Sequence, residues 1–545
     1  MKNLKSMPRS VIPESDSPYI FVGEHQSGIL HLSSDLARLI GEHESGVCRL
    51  DDVMKRLLVN DCDHIVLRAC FKECTRTQTS FDQYVRMRID GSIIWVRLQA
   101  RAYLSELGNN ILISGTADFF TFPHILRELL SLSDFSEREV DRLSRFAATP
   151  PERTLAFIRL ESATLPAGTL QMLTHNVVRA LRGGPTLSIT VHPFDENTIL
   201  LSTDDDSLEF RADLEDIVDT VLREQYVYDS VKPVIFWAEG DVSPRQSRDN
   251  RIALWQVLSQ CFTNTVAPDR FSFREVVYTA QACLDNFSGF QLLMQPMVDK
   301  KTFRFTGSEF LLRFKTNVGF GPDRFVRLLE KSELAVPLTH WVFETAFSHA
   351  AYLLDVVPAG FTFNINLNPS HTDDQGLFRF IRASLKLNGV PADRVVIEFI
   401  ETGERIPQAE LARLVENCRR CGIRIAIDDF GTCYNALFFL LSVQCDMVKL
   451  SREISLECLF DEKKRIFLSR LIEAFRELGC ITSLEGIQNE VMFAQLENVH
   501  PDQLQGYYFS EPVSIERIRA MLEAGDRITI KKEKPRSSCA RREAV

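Results

Sequence analysis

Two adjacent acids, Asp428 and Asp429, sit in the middle of the stretch IRIAIDDFGTC at residues 423–433. Ile423, Ile425 and Ile427 alternate with Arg424 and Ala426 and predict a strand, and a Gly431-Thr432 turn follows Phe430. Neighbouring side chains of a regular strand point to opposite faces, but a strand end relaxes that restriction and lets both carboxylates face one site. Adjacent anions raise each other's pKa, and a divalent cation, or a pair of them, removes that cost. An Asp-Asp-x-Gly turn is also ordinary loop chemistry. The balance shifts because other strand ends in the same half carry acids, amides and cations: Gln295, Glu309, Arg313, Asn366, Glu398, Lys449, Glu485 and Gln505. Glu309, Asn366 and Glu398 each lie inside an apolar strand, where an unpaired polar group is costly. Buried acids need a cation, and hard oxygen donors in this number suit magnesium or manganese. Lys449 taken alone reads as an ordinary solvated strand-end lysine.

The elements that must position these residues run from about residue 271 onwards. Strands are expected at FQLLMQPM, FTGSEFLLRF, FTFNINL, RVVIEFI, IRIAIDD, MVKLS, ITSLEGI and QLQGYYF, with helices at 323–329, 340–354, 377–387, 409–420, 463–478 and 515–524. About 250 residues of alternating strands and helices predict a TIM-like (β/α) barrel, whose chemistry collects at the C-terminal ends of its strands.

Upstream, residues 1–18 read as a disordered lead. Residues 19–122 read as strand, helices and further strands, with a helix at 51–59 and a hairpin of 81–89 and 93–103 closed by Asp90-Gly91. A strand at 111–117 follows, then a charged helical linker at 123–150. Residues 151–265 give a second α/β pattern, with strands LAFIRL, LSITVH, TILLS and PVIFWA and helices near 168–181, 209–223 and 250–263. A basic tail occupies 527–545. The chain as a whole is thus a multidomain α/β protein.

Composition narrows the function. The 545 residues are 45% hydrophobic and 25% charged, ordinary globular values. A net charge of −11 argues against a nucleic-acid polymer as main partner but not against a small anion held through metal. No apolar run of about 20 residues is present, so no membrane span is expected, and MKNLKSMPRSVIPESDS lacks the apolar segment of a signal peptide. The 13 cysteines are scattered and odd in number, which fits reduced thiols and a cytoplasmic location. Cys418-Arg-Arg-Cys421 has no second CxxC and reads as packing at a helix end rather than as a zinc or redox site.

Seven segments, QPMVDKKTFRFTGSEFLLRF, FNINLNPS, VVIEFIETG, IAIDDFGTCYNALFFL, DMVKLS, LEGIQNE and QGYYFSEPV, occur in this order and resemble an EAL domain. The likeness covers nearly all of 271–526. It implies hydrolysis of cyclic di-GMP, a bacterial second messenger, to the linear dinucleotide with two magnesium or manganese ions. Carried over residue by residue, it implies that Glu309, Asn366, Glu398, Asp428 and Asp429 are metal ligands, with Glu485 beside the second ion. Lys449 matches the lysine that contacts the attacking water, and Glu401 matches the glutamate that steadies the loop after the aspartate pair. Gln295, Arg313 and Gln505 match positions that contact substrate. The order GILHLSSDLARLIG, Trp95 in the hairpin and GTADFF resembles a PAS domain, and 151–265 resembles a degenerate GGDEF domain. Its active turn reads Pro193-Phe194-Asp195-Glu196-Asn197, without the glycines that admit a nucleotide phosphate, so no cyclase activity is expected there. The expected protein is a homodimeric PAS–GGDEF–EAL signalling phosphodiesterase. The alternatives are a non-catalytic cyclic di-GMP receptor and an interaction scaffold.

Four positions depart from the EAL pattern. The signature itself reads Ser308-Glu309-Phe310: its ligand glutamate survives, and Phe310 is larger than the usual residue there. Cys433 replaces a glycine, Ser451 an aspartate and Gln488 a glutamate. They leave the implied ligands intact and bear on loop mobility and turnover rate.

Overall fold

The computed structural model describes residues 19–42, 46–104, 110–132, 154–162, 165, 167–183, 189–193, 198–203, 208–225, 231–238, 271, 273–367, 375–400, 408–432, 445–459, 461–496, 498–525 and 528. The lead 1–18, most of the linker, the helix expected at 250–263, the turn at 194–197, Glu401, Cys433 and nearly all of the tail lie outside the described residues.

The first unit contains β1 (Ile20–Glu24), β2 (Ile29–Leu32), α1 (Ser34–Leu39), β3 (Val47–Arg49), α2 (Leu50–Leu57), α3 (Asp61–Thr77), β4 (Ser80–Ile89), β5 (Ser92–Leu104), β6 (Ile111–Phe119) and α4 (Phe122–Ser131). Its sheet runs β3-β2-β1-β6-β5-β4. The β4–β5 hairpin turns on Asp90 and Gly91, both at positive φ (48° and 81°), the twist a two-residue turn needs. The helix expected at 51–59 is α2, which starts one residue earlier and ends at Leu57.

α3 has two apolar sides. Leu67, Phe71 and Cys74 join the first unit's own core. Cys62, Val66 and Cys70, four residues apart, join Trp95, Leu126 and Leu129 in one continuous core with the C-terminal barrel. The first unit is therefore packed on the barrel, not tethered beside it. A polar clamp crosses this contact. Arg86, 2% exposed, donates to both carboxylate oxygens of Asp63 (3.0 and 3.4 Å) and to Glu344 of the barrel. Asn60 donates to the same glutamate at 2.6 Å.

A second sheet is antiparallel throughout. β7 (Thr154–Glu161), β8 (Ile189–Pro193), β9 (Thr198–Thr203) and β10 (Lys232–Ala238) lie in the order β10-β7-β9-β8. α5 (Ala167–Gly183) and α6 (Leu208–Glu224) close a separate apolar core over it.

The C-terminal half begins with α7 (Phe273–Ala282) and closes an eight-stranded barrel. Its strands are β11 (Phe290–Asp299), β12 (Phe305–Phe314), β13 (Thr362–Leu367), β14 (Val395–Ile400), β15 (Arg424–Phe430), β16 (Met447–Leu450), β17 (Ile481–Leu484) and β18 (Gln503–Leu504). The helices are α8 (Pro322–Glu330), α9 (Ala335–Leu353), α10 (Gln375–Asn388), α11 (Gln408–Arg420), α12 (Arg452–Cys458), α13 (Glu462–Glu477), α14 (Glu490–Gln495) and α15 (Ile515–Ala524). One feature corrects the expected (β/α) repeat: β11 runs antiparallel to both β12 and β18. β11 and β12 are joined by a tight turn in which Asp299 accepts from the backbone N–H groups of Lys301 and Thr302. A turn that short joins only antiparallel neighbours, whereas the remaining strands pair in parallel.

Candidate metal centre

Strand alternation carries the polar residues to the barrel interior. In β12, Gly307, Glu309 and Leu311 share one face, and Phe310 points the other way to pack near Phe363 and His349. The bulk of Phe310 therefore fills the layer behind the sheet. Register then aligns the donors: Gln295 pairs with Glu309, Glu309 with Asn364, and Asn366 with Glu398.

β15 brings both aspartates together through a bulge. Its pairing with β16 breaks between Ile427 and Phe430, and Asp429 takes φ = 52°, a left-handed conformation uncommon for a residue with a side chain. Gly431 follows at φ = 96°, where a Cβ would lie 2.4 Å from Ile454 Cδ1. Asp428 and Asp429 then both belong to carboxylate clusters. Glu309, Glu398 and Asp428 have oxygens within 4.8 Å of one another, as do Asp428, Asp429 and Glu485. Asp428 is common to both.

Lys449 stands at the centre, fully buried, and this overturns the solvated reading of that lysine. Its Nζ lies 3.0 Å from Glu309 Oε2, 3.0 Å from Glu398 Oε2, 2.9 Å from Asp428 Oδ1 and 2.7 Å from Glu485 Oε1. An ammonium has three N–H donors for these four carboxylates. It donates to the oxygens of Glu309 and Glu398, and Asp428 Oδ1 and Glu485 Oε1 crowd the same ammonium with no other hydrogen-bond partner. The Asn366 side chain donates to Glu309 at 2.8 Å and leaves its own Oδ1 buried without a partner.

The charges are unbalanced, and the pKa values follow. Burial opposes the ammonium of Lys449, but Asp428, Glu309, Glu398 and Glu485 outweigh it and hold the pKa well above the usual lysine range. Burial likewise opposes the Glu309 carboxylate, yet Lys449 and hydrogen bonds from Gln505 and Asn366 leave its pKa lowered. Burial drives Glu398, Glu485 and Asp428 upwards. Asp429 rises to about 6, through burial and then the Asp428 charge. One lysine does not neutralise five acids, and the buried acceptor oxygens of Asn366, Asp428 and Glu485 suit a hard divalent cation.

Gln505 donates to Glu309 Oε2 at 2.7 Å and to Gln295 Oε1 at 3.2 Å, so both glutamines border the cluster. Gly506 allows this: its φ is 154°, and a Cβ there would lie 2.1 Å from the Ile487 carbonyl oxygen. Arg313 stands farther along β12, half-buried, donating to the Leu312 carbonyl. Ser451, fully buried, caps α12 through Ile454 N–H, and Gln488 is exposed. Cys418 and Cys421 carry free thiols at the end of α11, pushed up by burial.

Sequence reasoning missed Asn364. It is fully buried, donates to Glu398 Oε1 at 2.7 Å and accepts from Thr362 Oγ1 at 2.9 Å. The signal was present in FNINL: Asn364 and Asn366 are two apart and share a strand face.

Comparison with known proteins agrees with this geometry. Residues 281–512 match the family model of the EAL domain. The chain is 30% identical over 231 residues to the probable cyclic di-GMP phosphodiesterase PdeN of Escherichia coli, a match covering 42% of this chain and 44% of that protein. It is 28% identical over 237 residues to the cyclic di-GMP phosphodiesterase PA2567 of Pseudomonas aeruginosa, covering 43% and 40%. An uncharacterized protein of Synechocystis, sll1895, is 28% identical over 239 residues, covering 44% and 34%. The match thus spans less than half the length of each relative. No described helix is long and apolar enough to cross a membrane. Residues 281–512 of this chain form an EAL domain.

Proposed function

We propose that the barrel hydrolyses cyclic di-GMP to the linear dinucleotide, and that it requires divalent metal. The observation that carries this reading is the pair of carboxylate clusters sharing Asp428 around Lys449. Glu309, Asn366, Glu398 and Asp428 would hold one magnesium or manganese ion, and Asp428, Asp429 and Glu485 a second. Ions held there would supply Lewis acidity at the phosphodiester and lower the pKa of a nearby water. Lys449 orients the attacking water and offsets charge at the reacting phosphate. Gln295 and Gln505 present amides to the substrate, and Arg313 offers a guanidinium fork to a phosphate. The first unit is a PAS-like sensory module, residues 151–265 are a degenerate GGDEF-like module without cyclase activity, and the active protein is a cytoplasmic homodimer.

The test is to incubate the purified full chain with cyclic di-GMP and magnesium or manganese and resolve the products by chromatography. The linear dinucleotide should form with metal and not after chelation. Binding of cyclic di-GMP without any product would make the chain a receptor and overturn the hydrolase reading.

A further inference from the structure

A cleft of about 760 Å3 opens where α3, α10 and α11 meet. Four guanidiniums line it: Arg379 and Arg382, one turn apart on α10, and Arg413 and Arg420, two turns apart on α11. Two carboxylates share the lining, Glu73 from α3 and Glu416 from α11. This local excess of positive charge stands against a net charge of −11 for the chain, so it does not follow from a basic composition. Arg420 pairs with Glu416 at 2.9 Å, but the two side chains are 70% and 57% exposed, and a pair so open to water is weak and exchangeable. Arg379 is held differently. Its side chain is 25% exposed, pairs with Glu73 at 2.5 Å and donates to Cys70 Sγ at 3.6 Å. One fork is thus anchored at the domain contact, with exposed forks around it. Guanidinium planes match phosphate oxygens two at a time and give up water more readily than ammonium groups.

We propose that this cleft is a binding site for a small phosphate-bearing anion. Arg382 and Arg420 make the principal contacts, displacing the exposed Glu416, and Arg379 supplies a fixed third fork. Glu73 and Cys70 belong to the first unit, so the site is complete only with that unit docked on the barrel. Chelating conditions separate this site from the metal centre, because carboxylates without cations repel an anion.

The experiment is calorimetric titration of the full chain in EDTA with inorganic pyrophosphate and, separately, with GTP. Saturable binding that weakens with rising salt is expected. Replacing both Arg382→Ala and Arg420→Ala removes two charge-assisted contacts and should weaken binding about tenfold or more. Both side chains are exposed, so the variant retains its fold. Equal affinities for the two probes mean that phosphate alone is read, and tighter GTP binding means that the nucleoside is held as well. Either supports the site. Failure of both probes to saturate, or unchanged binding in the double variant, overturns it.

Discussion

At the scale of single residues, Lys449 holds four carboxylates with one buried ammonium. Removing one partner of a buried ion pair costs about 3–5 kcal/mol, because the remaining charge is left uncompensated. Lys449→Ala leaves four carboxylates crowded without a cation. The variant should therefore unfold at a distinctly lower temperature than the parent in EDTA, with the gap narrowing when manganese is added. An equal gap in both conditions would mean that metal does not share those carboxylates. Glu309→Ala should abolish turnover; full metal-dependent activity in that variant would remove Glu309 from the ligand set. The Asn364 side chain donates to Glu398, one of the cluster's acids, so it acts by positioning. Changing a residue that orients a metal ligand typically costs about 10–100-fold, and Asn364→Ala should lower kcat by that order. Weaker metal affinity in the same variant separates positioning from a general loss of packing. A kcat and metal affinity equal to the parent's would show that Glu398 needs no such support.

At the scale of elements, Arg86 is a comparable case at a domain contact. Arg86→Ala would strand Asp63, which burial pushes up to about 6 even against the guanidinium, and would release Glu344. A loss of about 3–5 kcal/mol is expected by the same reasoning, and urea unfolding measures it. A variant as stable as the parent would mean that water compensates these acids. Most barrel elements were legible because their periodicity is strong. The helix expected at 515–524 has those bounds, and α8 and α9 extend their expected ranges at one end or both. The strands of ITSLEGI and QLQGYYF end early, because their later residues leave the sheet to carry Glu485 and Gln505 into the site. The reversed direction of β11 is a property of the turn after it, which apolar alternation does not report. The bulge at Asp429 shows in the sequence only as a relaxed strand end; its left-handed backbone goes with the register break against the partner strand. The buried state of Lys449 was illegible for a similar reason. A lysine is tolerated there only because four separate strands or their ends bring acids to it.

At the scale of the whole molecule, the contact between the first unit and the barrel contains a group that titrates. His340 on α9 is fully buried, stacks on Phe380 with centroids 4.3 Å apart, and lies 5.9 Å from the Trp95 ring of the first unit. Neither ring nitrogen has a hydrogen-bond partner among the described residues. Burial, and then the Arg86 charge, lowers its pKa to about 3. Asp63 and Glu344 face the same region from α3 and α9. A base with a depressed folded pKa contributes its stability above the unfolded value near 6.5 and loses it as pH falls towards the folded value. Between pH 7 and pH 5 this one group should remove about 2 kcal/mol. Asp63 works in the opposite sense, because its raised pKa of about 6 lets the folded state gain a proton over the same interval. His340→Phe keeps an aromatic ring against Phe380 and deletes the titration. Urea unfolding of parent and variant at both pH values cancels the Asp63 contribution, which is common to the two. The parent should lose about 2 kcal/mol more than the variant on acidification. Equal losses would show that His340 is protonated in the fold, and that the two units meet across a wetter contact than the ring packing implies.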